Sequence, residues 1–269
     1  MRSIAAILGS IPRFRGNACN ASNAVLRRCA PLASASATMS GLRAVSDDLW
    51  FADGPVIRAY GFLFPTRMVI ARLATGALWI WSPIRLDDAL RAEISQLGEP
   101  RYAVEPNKLH HLALPEWIST WPSLSVYAPP GLCRKRRDIH FAGELVDEAA
   151  PQWRDEIEQV VVEGSFALTE VLFFHRASST CLIGDLIEQH DEPSLATWQR
   201  WFARVGGVGR DGGTAVPWRW TFLRRTRTRR AIARAVAWSP QRLVIAHGSC
   251  PIEGGTDALR RHFRWLQHR

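Results

Sequence analysis

Val104-Glu105-Pro106-Asn107-Lys108-Leu109-His110-His111 joins an apolar run to a stretch of helical spacing through a polar, proline-bearing loop. An apolar run ends at Val104, Pro106 bars its continuation as a strand, and helical spacing resumes after His111. A strand-to-loop exit of this kind presents polar side chains from a rigid edge, where metal ligands can be held. Two further apolar runs end in the same manner, one at Ile183-Gly184-Asp185 and one at Val244-Ile245-Ala246-His247-Gly248. Three polar strand ends can converge on one site.

Working outward, short strands are expected over 49–52, 68–73 and 77–81, the last two joined by a hairpin turn at Thr75-Gly76. Apolar spacing predicts a helix over 86–97, capped near Asp87 and Asp88 and stopped by Gly98. A strand over 102–104, the 105–111 loop, a helix over 112–121 and a strand over 124–127 follow, and Pro129-Pro130-Gly131 ends the run. The second half repeats the style. Strands are expected over 160–162, 170–174 and 180–183, then a helix over 195–205, a Gly-rich loop over 206–213 and a basic helix over 219–236. A strand over 242–246 leads through His247-Gly248 into a terminal helix over 257–266. Two β-rich halves with flanking helices imply two sheets packed face to face with helices outside.

At 269 residues and 47% hydrophobic content the chain can bury one large core. The net charge of +9 rests almost wholly on arginine, since Lys108 and Lys135 are the only lysines, and so one-sided a choice reads as coding bias before it reads as a nucleic-acid surface. Twelve tryptophans should anchor the core or line a groove. Five cysteines without a CxxC pair exclude a disulfide framework and a cysteine zinc knuckle, and no run reaches the roughly 18 to 20 apolar residues of a membrane span. A soluble protein of a reducing compartment is expected.

Residues 1–40 differ from the rest. They carry five arginines, many Ala and Ser, and no acidic residue, which is the composition of a transit peptide. The other reading places the true start at Met39. Either way this leader is expected to be disordered and outside a single domain over 46–269, in the cytoplasm, or in an organelle if the leader is a transit peptide. Without those five arginines the net charge is about +4.

The order of these elements resembles the metallo-β-lactamase fold. More narrowly, Pro106-Asn107 with His110-His111, Phe173-Phe174-His175-Arg176, Asp185-Leu186 and Ala246-His247-Gly248 resemble the family called domain of unknown function 4336, over about 46–266. The resemblance implies an α/β (α+β) protein, an αββα sandwich of two mixed sheets with outer helices and metal at the strand ends. The superfamily pattern T-H-x-H-x-D-H laid over 104–110 puts Glu105 and Asn107 at the positions of two metal-binding histidines and Leu109 at that of an aspartate. His110 matches, Asp185 falls on the bridging carboxylate, and His247 on the last histidine. The segment that normally supplies another histidine falls near 164–168, which has none.

His110, Asp185 and His247 are therefore the expected ligands of one divalent ion (zinc, iron or manganese), with Asp185 also orienting the attacking water. Glu105 or Asn107 would add an oxygen ligand and His111 would support from behind. The expected activity is hydrolysis of an ester, thioester or phosphoester in an unidentified small molecule. The alternative is a noncatalytic binding or scaffold protein that has lost its ligands. His175 reads as a structural turn residue. Gly207-Val208-Gly209-Arg210-Asp211-Gly212 fits a dinucleotide motif but follows an amphipathic run instead of a strand, so no nucleotide cofactor is expected. The basic run over 224–230 reads as a solvated face paired with acids, so neither nucleic acid nor membrane is an expected partner.

Overall fold

The computed structural model describes residues 41–59, 62–190, 201 and 203–267. The leader over 1–40 and most of the helix expected over 195–205 lie outside them.

Seven strands form the first sheet in sequence order: β1 (Arg43–Ser46), β2 (Leu49–Ala59), β3 (Phe62–Arg72), β4 (Leu78–Trp81), β5 (Pro100–Val104), β6 (Ser125–Ala128) and β7 (Gly143–Glu144). The first four are antiparallel neighbours and β4 to β7 run parallel. The second sheet contains β8 (Ile157–Val162), β9 (Glu170–His175), β10 (Thr180–Glu188), β11 (Arg242–His247) and β12 (Ile252–Glu253), ordered 12-11-10-9-8, with only β10 and β11 parallel. The helices are α1 (Asp88–Leu97), α2 (Leu114–Thr120), α3 (Leu132–Lys135), α4 (Val216–Thr221), α5 (Arg225–Ala237) and α6 (Gly255–His262).

Strand alternation builds three apolar layers. In β4, Trp79 and Trp81 face the second sheet and meet Phe173, Leu182 and Val244, while Leu78 and Ile80 face α1 and α2. Likewise β11 sends Val244 and Ala246 inward and Leu243 and Ile245 outward onto α5 and α6. Strands apolar on both faces must be covered on both, which dictates the αββα order. Each such aliphatic side chain contributes about 1.5–3 kcal/mol when fully buried. Trp79 touches Phe173 edge-on at 5.1 Å, so the two sheets share an aromatic seam.

Three expectations need correction. The first hairpin is much longer than the strands over 49–52 and 68–73, because a register shift between Gly54 and Ile57 takes up Pro55 and β4 pairs β3 only over 69–72, leaving Pro65 without a ladder partner on that side. The basic helix over 219–236 is two helices. Phe222 is buried and pairs with Ser165, and Arg224 N–H bonds the Gly164 carbonyl, so backbone partners from another segment interrupt the helix. The terminal helix ends at His262, with a 3₁₀ turn over Arg264–Leu266. The charged face of α5 does pair with acids, Arg227 with Glu163 and Arg234 with Asp147.

Candidate metal centre

The C-terminal ends of β4, β5 and β11 meet the irregular second half of β10 where the sheets face one another. Pairing of β10 with β11 is regular from Thr180 to Ile183, then shifts until Glu188 meets His247, and Asp185 lies in that shifted part. The 105–111 loop crosses from the first sheet to the second, with Asn107 bridging Glu170 and the Pro106 carbonyl accepting Val171 N–H at 2.8 Å. His110, Asp185 and His247 thereby come together. One ligand atom from each lies within 4.8 Å of the others, the only such grouping of His, Cys, Asp or Glu among the described residues.

Both imidazoles are fixed through Nδ1. His110 Nδ1 bonds Ser82 Oγ at 2.7 Å and His247 Nδ1 bonds the Pro65 carbonyl at 2.6 Å, so each ring turns Nε2 towards Asp185. His247 Nε2 is 2.9 Å from Asp185 Oδ1 and His110 Nε2 is 3.4 Å from it. Phe64 packs edge-on against His247 at 5.5 Å, which makes one wall apolar. Burial disfavours charge on Asp185, yet the His110 charge and the bonds from His110 and His247 hold its carboxyl well below the usual range. Burial likewise opposes the His247 cation, and Asp185, the Pro65 carbonyl and Glu188 outweigh it and raise the pKa.

Asn107 and Glu170 occupy the other half of the site. Asn107 Nδ2 donates to Glu170 Oε2 at 3.0 Å and to Asp185 Oδ2 at 2.8 Å, separating two buried carboxylates with one amide. Its Oδ1 accepts Leu109 N–H at 2.9 Å. Glu170 also accepts the backbone N–H groups of Gly184, Asp185 and Leu186. Burial and the Asp185 charge push the Glu170 pKa upward, and these donors oppose them. Gly184 has to be glycine here, since a Cβ would stand 2.9 Å from Glu170 Oε2 and 3.2 Å from Asn107 Nδ2.

Glu105 and His111 lie outside the three-residue grouping. Both Glu105 carboxyl oxygens are buried without a hydrogen-bond partner, and burial pushes its pKa well up against the nearby Arg136. His111 faces Arg136 instead of His110, with Nη1 of that arginine donating to His111 Nδ1 at 2.8 Å. Burial, then Lys135 and Arg136, lower the His111 pKa to about 4, so the ring is neutral. His175 bonds Ser178 Oγ at 2.8 Å across its turn. Glu170, Ser82 and Pro65 were not singled out from sequence. The one signal for Glu170 is a carboxylate opening the otherwise apolar run Glu170-Val171-Leu172-Phe173-Phe174, whereas a backbone carbonyl such as that of Pro65 leaves none.

The architecture is the metallo-β-lactamase fold. The structure is similar to that of the metallo-β-lactamase DIM-1 exposed to ceftazidime, at a TM-score of 0.59 and 13% identity over 84% of this chain and 97% of that one. It is similar to FIM-1 from Pseudomonas aeruginosa in its mono-zinc form, at a TM-score of 0.57 and 12% identity over 89% and 96% of the two chains. A metal-soaked Flv1 flavodiiron core from Synechocystis gives a TM-score of 0.60 at 11% identity, over 85% of this chain and 61% of that one. No protein-family model and no curated protein matches the sequence. No helix among the described residues is long and apolar enough to cross a membrane.

Proposed function

We propose that the chain is a metal-dependent hydrolase that holds one divalent cation on His110, Asp185 and His247 and cleaves an ester, thioester or phosphoester of a small molecule. The observation that carries this reading is the convergence of two imidazole Nε2 atoms, each locked through Nδ1, on one ionised carboxylate. The donor set fits. Ligands bonded to one ion at about 2.0–2.1 Å in a tetrahedron stand about 3.3 Å apart, and the Nε2 to Oδ1 separations are 2.9 and 3.4 Å. Two nitrogens and one oxygen suit zinc, iron or manganese, in keeping with the mono-zinc and flavodiiron neighbours.

A bound cation would act as a Lewis acid and lower the pKa of water towards ~7. The chain supplies the rest. Asp185 orients the attacking water through Oδ1 while Asn107 pins Oδ2, and Phe64 limits solvent on the His247 side. Asn107 thus serves through Asp185. The narrower assignment to domain of unknown function 4336 is part of this proposal and rests on the residues quoted above.

One observation favours the noncatalytic alternative. Asp185 receives bonds from His247, His110 and Asn107, so protein groups alone can satisfy its carboxylate. An assay against p-nitrophenyl acetate, acetylthiocholine and bis-p-nitrophenyl phosphate with added zinc, iron or manganese separates the two. Metal-dependent turnover that falls at least 100-fold in Asp185→Asn and His247→Ala is expected. Turnover unaffected by either substitution, or none with any metal, would remove the hydrolase reading.

A further inference from the structure

A second pocket of about 310 Å³ opens between the 211–213 loop, α4 and the C-terminal turn. Arg219, Arg261 and Arg264 line it, with Trp265 as a wall and Asp211 as the one acid. We propose that this pocket binds a phosphate-type dianion, either the free anion or a small monoester.

Arg219 is built in. Its Nε donates to the Thr214 carbonyl at 2.6 Å, and its Nη2 lies so near Gly207 that a Cβ there would stand 2.7 Å away. Gly207 also has φ +73°, so the glycine run that fits a dinucleotide motif serves as a bed for a guanidinium. Trp265 is held by its Nε1 bond to Thr214 Oγ1 at 3.2 Å. Neighbouring arginines are paired, Arg260 with Asp257 and Arg242 with Glu253. Among the described residues no carboxylate forms an ion pair with Arg219, Arg261 or Arg264. Arg219 is half-buried, and that partial desolvation lowers its pKa. Such a charge is costly unless an anion compensates it. Three guanidinium groups against Asp211 leave two positive charges in excess, the complement of a dianion, and the planar fork matches phosphate oxygens.

The pocket is distinct from the metal centre, and the proposal stands whether or not a metal binds. Gly213 and Glu188 exchange backbone hydrogen bonds of 2.9 and 3.0 Å, and on β10 that same Glu188 is the register partner of His247. The strand end therefore lies between them.

Calorimetric titration of the full-length chain with inorganic phosphate, at constant ionic strength in chloride and with or without EDTA, is the test. Glycerol 3-phosphate run in parallel distinguishes the two sources, the tighter ligand naming the one used. Submillimolar phosphate binding that survives EDTA and weakens at least tenfold in the Arg261→Gln, Arg264→Gln double variant is expected. That variant changes exposed side chains only, so its melting temperature should hold, and Arg219→Gln should weaken binding as far. Absence of binding above the chloride control, equal affinity in the double variant, or binding abolished by EDTA would overturn the proposal.

Discussion

At residue scale, the Asn107 amide decides how two buried carboxylates coexist. It gives one hydrogen to Glu170 and the other to Asp185, which an ionised acid at that position cannot do. Asn107→Asp puts a third carboxylate among them, so the metal-free protein should lose about 2–4 kcal/mol, with partial recovery on adding zinc. Denaturant melts with and without zinc check both signs, and equal stability of the two proteins would contradict the cage. Gly184→Ala should displace the same groups and weaken metal binding about 10–100-fold. A metal titration showing unchanged affinity would contradict that. The convergence of His110, Asp185 and His247 was legible because Asp185 and His247 each close an apolar run and His110 lies in the loop that follows another. Glu170 was not, since what matters about it is the loop that crosses to meet it, and sequence spacing carries no record of contact between residues 63 positions apart.

At the scale of elements, β3 and β11 are joined across the sandwich by Arg67 as well as by the bond from His247 to the Pro65 carbonyl. Arg67 is 5% exposed, bonds the Ile245 and Gly248 carbonyls at 2.6 and 2.9 Å and pairs with Asp53, so it ties the His247 segment to the opposite sheet. Arg67→Met should cost about 3 kcal/mol by leaving buried carbonyls unbonded, and should weaken metal binding as His247 shifts. A loss of stability without any change in metal affinity would show that the clamp does not position the site. Strands apolar on both faces were legible as unbroken apolar runs, and α1 from its helical spacing and its cap, where Asp87 accepts Leu90 N–H at 2.8 Å. The first hairpin was cut short because Pro55 and Pro65 are strand breakers in isolation and are tolerated here by a bulge and an unpaired flank. The break between α4 and α5 depends on the 164–165 backbone, a tertiary partner that overrides helical propensity.

At the scale of the whole molecule, pH acts on stability through buried histidines. Burial and Arg261 lower the His262 pKa from 6.5 to about 4, so between those values the unfolded chain binds a proton that the folded chain does not. Stability is full above about pH 6.5 and falls as pH drops towards 4. His262→Gln should reduce the stability lost between pH 6.5 and 4 by roughly 1–2 kcal/mol, and an unchanged loss in denaturant melts would contradict the assignment. The first sheet begins with β1 at Arg43, ahead of the expected bound at 46, so a chain starting at Met39 should melt within a few degrees of the full-length protein, and a larger drop would place the leader in the fold. His110 from the loop after β5, Asp185 within β10 and His247 at the end of β11 are expected to hold one metal ion. Elemental analysis of protein expressed with zinc, iron and manganese tests it most directly. About one equivalent per chain is expected, lost in His110→Ala, Asp185→Ala and His247→Ala and retained in His175→Ala. No bound metal in the wild-type protein, or metal that survives all three substitutions, would contradict it.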